Sequence, residues 1–126
     1  MRILLVDDEA ELVETLVERL RLRGIDADCA LSGDAAIDMT QSKAYDLAVV
    51  DMKMPGTSGL DVMKSMRDMR PEMRFIFLTG HGSTQDCQEG RKAGASDYLM
   101  KPVRLQVLLE RIQAALNPGG EENNEC

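Results

Sequence analysis

Five residues of this 126-residue chain could do chemistry together: Asp7, Asp8, Asp51, Thr79 and Lys101. Each closes or follows a short apolar run. Asp7 and Asp8 come after Ile3–Val6, Asp51 after Leu47–Val50, Thr79 after Phe75–Leu78, and Lys101 after Tyr98–Met100. Taken singly, each has an ordinary explanation. An Asp can cap a helix or open a turn, Thr is common at strand ends, and Lys is usually a solvated surface residue. Taken together they put two or three carboxylates, a hydroxyl and an amine at one edge of a sheet. Two carboxylates about 5 Å apart repel by roughly 3 kcal/mol at an effective dielectric near 20, so such a cluster calls for a cation. Few hard oxygen ligands, with water completing the shell, suit Mg²⁺, which is commonly completed further by phosphate. An Asp carboxylate can itself be the nucleophile and form an aspartyl-phosphate. A metal and a lysine amine then neutralise the transferring phosphoryl oxygens.

The elements that must position these groups follow from periodicity. The four apolar runs read as buried strands, and Asp26–Ala30 reads as a fifth, weaker one. Leu12, Leu16 and Leu20, with Val13 and Val17, make one helical face, which Gly24 ends. Further helices are expected from Ser32-Gly33-Asp34, from Ser58 to about Arg70, over roughly 83–93, and through Leu105, Leu108, Leu109, Ile112 and Leu116. Five strand–helix units with continuously apolar strands imply an α/β, doubly wound, five-stranded parallel sheet with helices on both faces. Ligands of such folds sit beyond the carboxyl ends of the strands.

Composition narrows the function. The net charge of −7 gives no basic footprint for direct nucleic-acid binding. Two Tyr, two Phe and no Trp leave little for stacking bases. No apolar run approaches the ~20 residues of a membrane span, and the opening apolar stretch is too short for a signal peptide. Cys29, Cys87 and Cys126 fit neither a disulfide framework nor a zinc site, so reduced thiols in a cytoplasmic protein are expected. Asn117-Pro118-Gly119-Gly120 marks a helix stop. The folded unit is therefore expected over residues 1–117, and 118–126 as an acidic, disordered tail.

Four strings carry a resemblance: Leu4-Leu5-Val6-Asp7-Asp8-Glu9, Val49-Val50-Asp51-Met52-Lys53-Met54-Pro55-Gly56, Leu78-Thr79-Gly80-His81-Gly82, and Ala93 through Pro102. Over about residues 2–116 the chain resembles the receiver domains of two-component response regulators. The resemblance implies a flavodoxin-like fold with strand order 2-1-3-4-5. It implies that Asp51 accepts a phosphoryl group from a histidine kinase, a phosphotransfer protein or a small phosphodonor. It further implies Mg²⁺ held by Asp8, Asp51 and the backbone carbonyl of Lys53, with Asp7 acting through water. Lys101 would contact the phosphoryl group, its bond to Pro102 would be cis, and Thr79 and Tyr98 would be a switch pair. The domain would catalyse only its own phosphorylation and dephosphorylation. Val103 departs from the frequent Phe of the family at that position.

Other residues leave alternatives open. Lys53 and His81 should flank the path of an attacking water and so tune the phosphate lifetime, or be solvated. Met63, Met66, Met69 and Met73 read as core filler or as an adaptable binding surface. Lys64, Arg67, Arg70 and Arg74 read as a solvated helix end. Gly90, mid-helix, should make the fourth helix easy to displace. Phosphorylation would turn the Tyr98 ring from solvent toward the sheet. The output face, for a partner protein or a homodimer, would be the fourth helix, fifth strand and fifth helix, where Asp97 and Arg111 lie and could pair with a partner. A non-phosphorylated receiver-like interaction module is the main rival, although it would usually lose part of the acid–Thr–Lys set. A flavin protein would want a hydroxyl- and Gly-rich loop where Asp7-Asp8-Glu9 stands.

Overall fold

The computed structural model describes residues 1–80 and 83–117. The expectations for His81 and for the tail 118–126 lie outside the described residues. The strands are β1 (Arg2–Val6), β2 (Asp26–Ala30), β3 (Leu47–Val50), β4 (Lys53–Met54), β5 (Thr57–Ser58), β6 (Arg74–Thr79) and β7 (Asp97–Met100). The helices are α1 (Ala10–Leu22), α2 (Gly33–Ser42), α3 (Gly59–Met69), α4 (Thr84–Lys92) and α5 (Leu105–Leu116). A parallel sheet runs β2-β1-β3-β6-β7, which is the expected order 2-1-3-4-5 once the short pair β4–β5 is numbered. That antiparallel pair was not expected from the sequence. It turns through Pro55-Gly56, where Gly56 takes φ of +74°, a conformation that favours glycine.

Strand alternation divides the core into two layers. Leu4, Val6, Val50, Phe75 and Phe77 face α2 and α3 with Met63 and Met66. Ile3, Leu5, Val49, Ile76 and Leu78 face α1 and α5, meeting Leu16, Leu20, Leu108 and Ile112. Met63, Met66 and Met73 are all buried, so the methionines fill an aromatic-poor core. The basic helix end is not merely solvated. Arg67 Nη1 donates to the Ala93 carbonyl at 2.6 Å, and Arg70 Nε to the Thr40 carbonyl at 3.2 Å, binding α3 to the ends of α4 and α2.

Two further expectations are corrected. Gly90 is buried, and a Cβ there would lie 2.9 Å from the Phe77 ring. The glycine lets α4 close onto β6, so it serves packing rather than looseness. Asp97 is buried and pairs within the chain, with Arg91 at 3.1 Å and Arg111 at 2.8 Å. It ties α4, β7 and α5 together instead of awaiting a partner. Cys29 is a free thiol.

Candidate functional site

Asp7 and Asp51 are one residue beyond the paired ends of β1 and β3, where Val6 faces Val50. Backbone bonds hold both: Asp7 N–H donates to the Ala30 carbonyl and Asp51 N–H to the Val6 carbonyl. Gly59 secures the far side of Asp51. A Cβ there would overlap the Asp51 carbonyl oxygen and the Met52 Cα, so only glycine lets α3 begin this close to the acceptor backbone. Spacing alone did not single out Gly59, although its place at the start of a helix directly after the acceptor loop was a clue.

Asp7, Asp8 and Asp51 each offer a carboxylate oxygen within 4.8 Å of the others. Asp7 and Asp51 are buried and Asp8 is exposed. Neither acid caps α1, whose N-cap residue Glu9 makes no side-chain cap bond. Asp7 Oδ1 instead accepts from the Glu9 N–H at 2.9 Å, and Asp51 Oδ1 from the Lys53 N–H at 3.0 Å. Thr79, also buried, ends β6 at the same edge, and its carbonyl accepts from the Lys101 N–H. The Lys101–Pro102 peptide is cis.

Lys101 enters the acid cluster from β7. Its ammonium lies 2.6 Å from Asp7, 2.7 Å from Glu9 and 3.4 Å from Asp51. These contacts engage all three of its donors. Burial alone would depress the ammonium, but the bonds to Asp7 and Glu9 outweigh it and hold the group above its ordinary 10.5. For Asp7 the balance runs the other way. Burial outweighs the Lys101 bond, and its carboxyl sits above the ordinary 3.8. Glu9 entered the sequence reading only as the last residue of the Leu4–Glu9 string, and its role as a partner of Lys101 was missed.

The remaining site residues lie around this centre. The Lys53 ammonium pairs with Asp86 at 3.1 Å. That pair, and then the Ser83 N–H, hold the Asp86 carboxyl below its ordinary value. Tyr98 does not start in solvent as expected: its hydroxyl is buried with no hydrogen-bond partner among the described residues, and its ring packs on the α3-side core. Burial, and then the charges of Asp86 and Asp51, raise the phenol above its ordinary value. Ring burial worth ~25 cal/mol per Å² offsets the ~1–3 kcal/mol of an unsatisfied hydroxyl.

This arrangement fits a divalent cation. Three carboxylates at one strand edge bring more negative charge than one lysine neutralises, and two of the three are held by backbone N–H groups. Among the described residues, no helix is long and apolar enough to cross a membrane.

Comparison with known proteins agrees. The family model for the response regulator receiver domain matches residues 3–113. The chain is 36% identical over 125 residues to the transcriptional regulatory protein TctD of Salmonella typhimurium, covering 99% of this chain and 56% of that protein. It is 37% identical over 116 residues to the two-component response regulator PhoP of Pseudomonas aeruginosa, covering 92% of this chain and 52% of that protein. The chain thus spans about half the length of these curated relatives. Among solved structures, a CheY-like receiver domain protein from Methanospirillum hungatei superposes with a TM-score of 0.86 at 30% identity, covering 91% of this chain and 92% of that one. A response regulator from Burkholderia pseudomallei, solved with a phosphorylated aspartic acid and a calcium ion, superposes at 0.83 with 29% identity, covering 93% of this chain and 66% of that one. With the doubly wound sheet and the acid cluster at its carboxyl edge, these matches show that the chain is a signalling domain and belongs to the response regulator receiver domain family.

Proposed function

We propose that Asp51 is the phosphoryl acceptor, served by a phosphohistidine of a sensor kinase or phosphotransfer protein, or by a small phosphodonor. The observation that carries this reading is the setting of Asp51. The carboxylate is buried, fixed through Oδ1 by the Lys53 N–H, and has Oδ2 3.4 Å from the Lys101 ammonium. Oδ2 is therefore the oxygen with electron density to spare for attack on phosphorus. As the O–P bond forms, the bond from phosphorus to the donor nitrogen or oxygen breaks, and the donor leaves with that electron pair. Lys101 moves from Glu9 and Asp7 toward the phosphoryl oxygens, and the Thr79 hydroxyl donates to one of them. Asp8, Asp51 and the Lys53 carbonyl, with Asp7 through water, would hold Mg²⁺, which when bound supplies positive charge to the phosphoryl oxygens.

Reversal by water makes the domain the catalyst of its own dephosphorylation as well. Lys53 tunes that step. His81, two residues past Thr79, is proposed as a second rate-tuning residue. The output surface is the α4–β7–α5 face, offered to a downstream protein or to a second copy. Thr79 feeds directly into the segment before α4. Among the described residues the buried Tyr98 hydroxyl has no hydrogen-bond partner, so packing holds the ring, which shifts on phosphorylation. TctD and PhoP, as regulators about twice this length, suggest a transcriptional output and a cytoplasmic setting. The folded unit is taken as residues 1–117.

Acetyl phosphate with Mg²⁺ should add one phosphate by intact mass, and Asp51→Ala should abolish it. Persistent labelling of Asp51→Ala would refute the assignment. Absence of labelling in the parent would favour an interaction module that needs no phosphate. Amide exchange should change on phosphorylation around residues 80–104 and much less around 10–40.

A further inference from the structure

Lys53 is two residues past the acceptor, and its ammonium has two destinations: the acceptor and α4. In this structure it takes the second. Its Nζ lies 3.1 Å from Asp86 Oδ2, while its own N–H remains on Asp51 Oδ1. Asp86 is not a casual surface acid. The same Oδ2 accepts from the Ser83 N–H at 3.2 Å, and the Asp86 N–H donates to Ser83 Oγ at 3.1 Å. This reciprocal box caps the N-terminus of α4, the helix of the proposed output face. Between the β4–β5 loop and α4 lies an open groove of about 330 Å³, with Met52, Met54 and Leu60 along it and Lys53 and Asp86 on opposite walls. The ion pair joins those walls.

We propose that Asp86 is a positioning residue: it holds the Lys53 ammonium on α4 and away from the acceptor. The proposal rests on Asp51 being the phosphoryl acceptor. A phosphoryl group on Asp51 then competes with Asp86 for one cation. If Lys53 stays on α4, the path to phosphorus is open. Water forms the new P–O bond, the aspartyl O–P bond breaks, the carboxylate departs with its electron pair, and the water proton leaves with inorganic phosphate or solvent. If Lys53 leaves Asp86 for the phosphoryl oxygens, the ammonium obstructs that approach and α4 loses its tether to the acceptor loop. The lifetime of the phosphate and the freedom of α4 are thereby coupled.

Lys53 is more than half exposed, so the pair is weak, and its removal should alter the hydrolysis rate by about two- to fivefold. The test is a double-mutant cycle on the hydrolysis rate of protein labelled with acetyl phosphate. Asp86→Asn keeps an oxygen for the cap and removes the charge. It should lengthen the phosphate lifetime in the parent and leave it unchanged in Lys53→Gln. Ser83→Ala breaks the cap but not the ion pair, and it should keep the parent lifetime. Equal changes from Asp86→Asn in both backgrounds, or no change in either, would overturn the role of Asp86 while leaving the acceptor reading intact. A parent that takes no label at all would overturn the acceptor reading first.

Discussion

Neutralising Asp8 should stabilise the metal-free domain and remove its response to Mg²⁺. Asp8 is the exposed member of the acid cluster, with a carboxylate oxygen within 4.8 Å of those of Asp7 and Asp51. At that distance each like-charge pair costs about 3.5 kcal/mol at an effective dielectric of 20, and about 0.9 kcal/mol in bulk water. Exposure places Asp8 near the lower figure, and Lys101 offsets part of the field of both neighbours. About 1 kcal/mol of relief is the reasonable expectation for Asp8→Asn. For a domain of this size that raises Tm by about 3–6 °C. In the parent, Mg²⁺ at a hundredfold excess over its Kd should add about 2.7 kcal/mol, because it binds the folded state alone. Asp8→Asn should lose most of that gain. Thermal unfolding of both proteins, with chelator and with a Mg²⁺ series, reads the two effects separately. An unchanged or lower Tm without metal would refute the repulsion argument. An undiminished Mg²⁺ gain in Asp8→Asn would remove this residue from the metal site.

Gly90→Ala should destabilise by about 1 kcal/mol in denaturant titration, because the clash with the buried Phe77 ring outweighs the ~1 kcal/mol gain in helix propensity. Asp97→Ala leaves Arg91 and Arg111 without their shared carboxylate, and should cost about 2–3 kcal/mol while hastening amide exchange in α4, β7 and α5. At the β2 edge, Asp28 accepts from Lys43 at 2.8 Å and from the Tyr45 hydroxyl at 2.6 Å. Burial pushes its carboxyl up, but these bonds and that of Arg21 outweigh it and leave the carboxyl below the ordinary 3.8. The network therefore contributes fully above pH 3.8 and is lost as pH falls through the lower folded-state value. Asp28→Asn should flatten the loss of stability below pH 4, and an unchanged acid limb would refute the network's contribution.

The five parallel strands and the gathering of Asp7, Asp8, Asp51, Thr79 and Lys101 at one edge were legible in the sequence, whereas the strand order came only from the resemblance to receiver domains. Apolar runs of four residues can only be buried strands here, parallel strands share a carboxyl edge, and whatever follows each run must appear there. Such placement is a property of topology and survives small errors in element boundaries. The pairings around the site were not legible, because they depend on which side chains meet across long stretches of chain. Glu9 reaches Lys101 across 92 residues, and Lys53 reaches Asp86 across three intervening elements. Ser83 and Asp86 have the spacing of a capping box, yet nothing local says that the same carboxylate faces the acceptor loop. Gly59 and Gly90 look alike in sequence as glycines at or within a helix. Only packing shows that one admits α3 against the acceptor backbone and the other admits α4 against Phe77. Asp97 and Arg111 read as charges open to a partner until the fold buries Asp97 between two arginines. Tyr98 likewise stands on the expected strand, but whether its ring faces water or core is a balance between apolar burial and one unsatisfied hydroxyl. The local sequence does not set that balance; the neighbouring layer does.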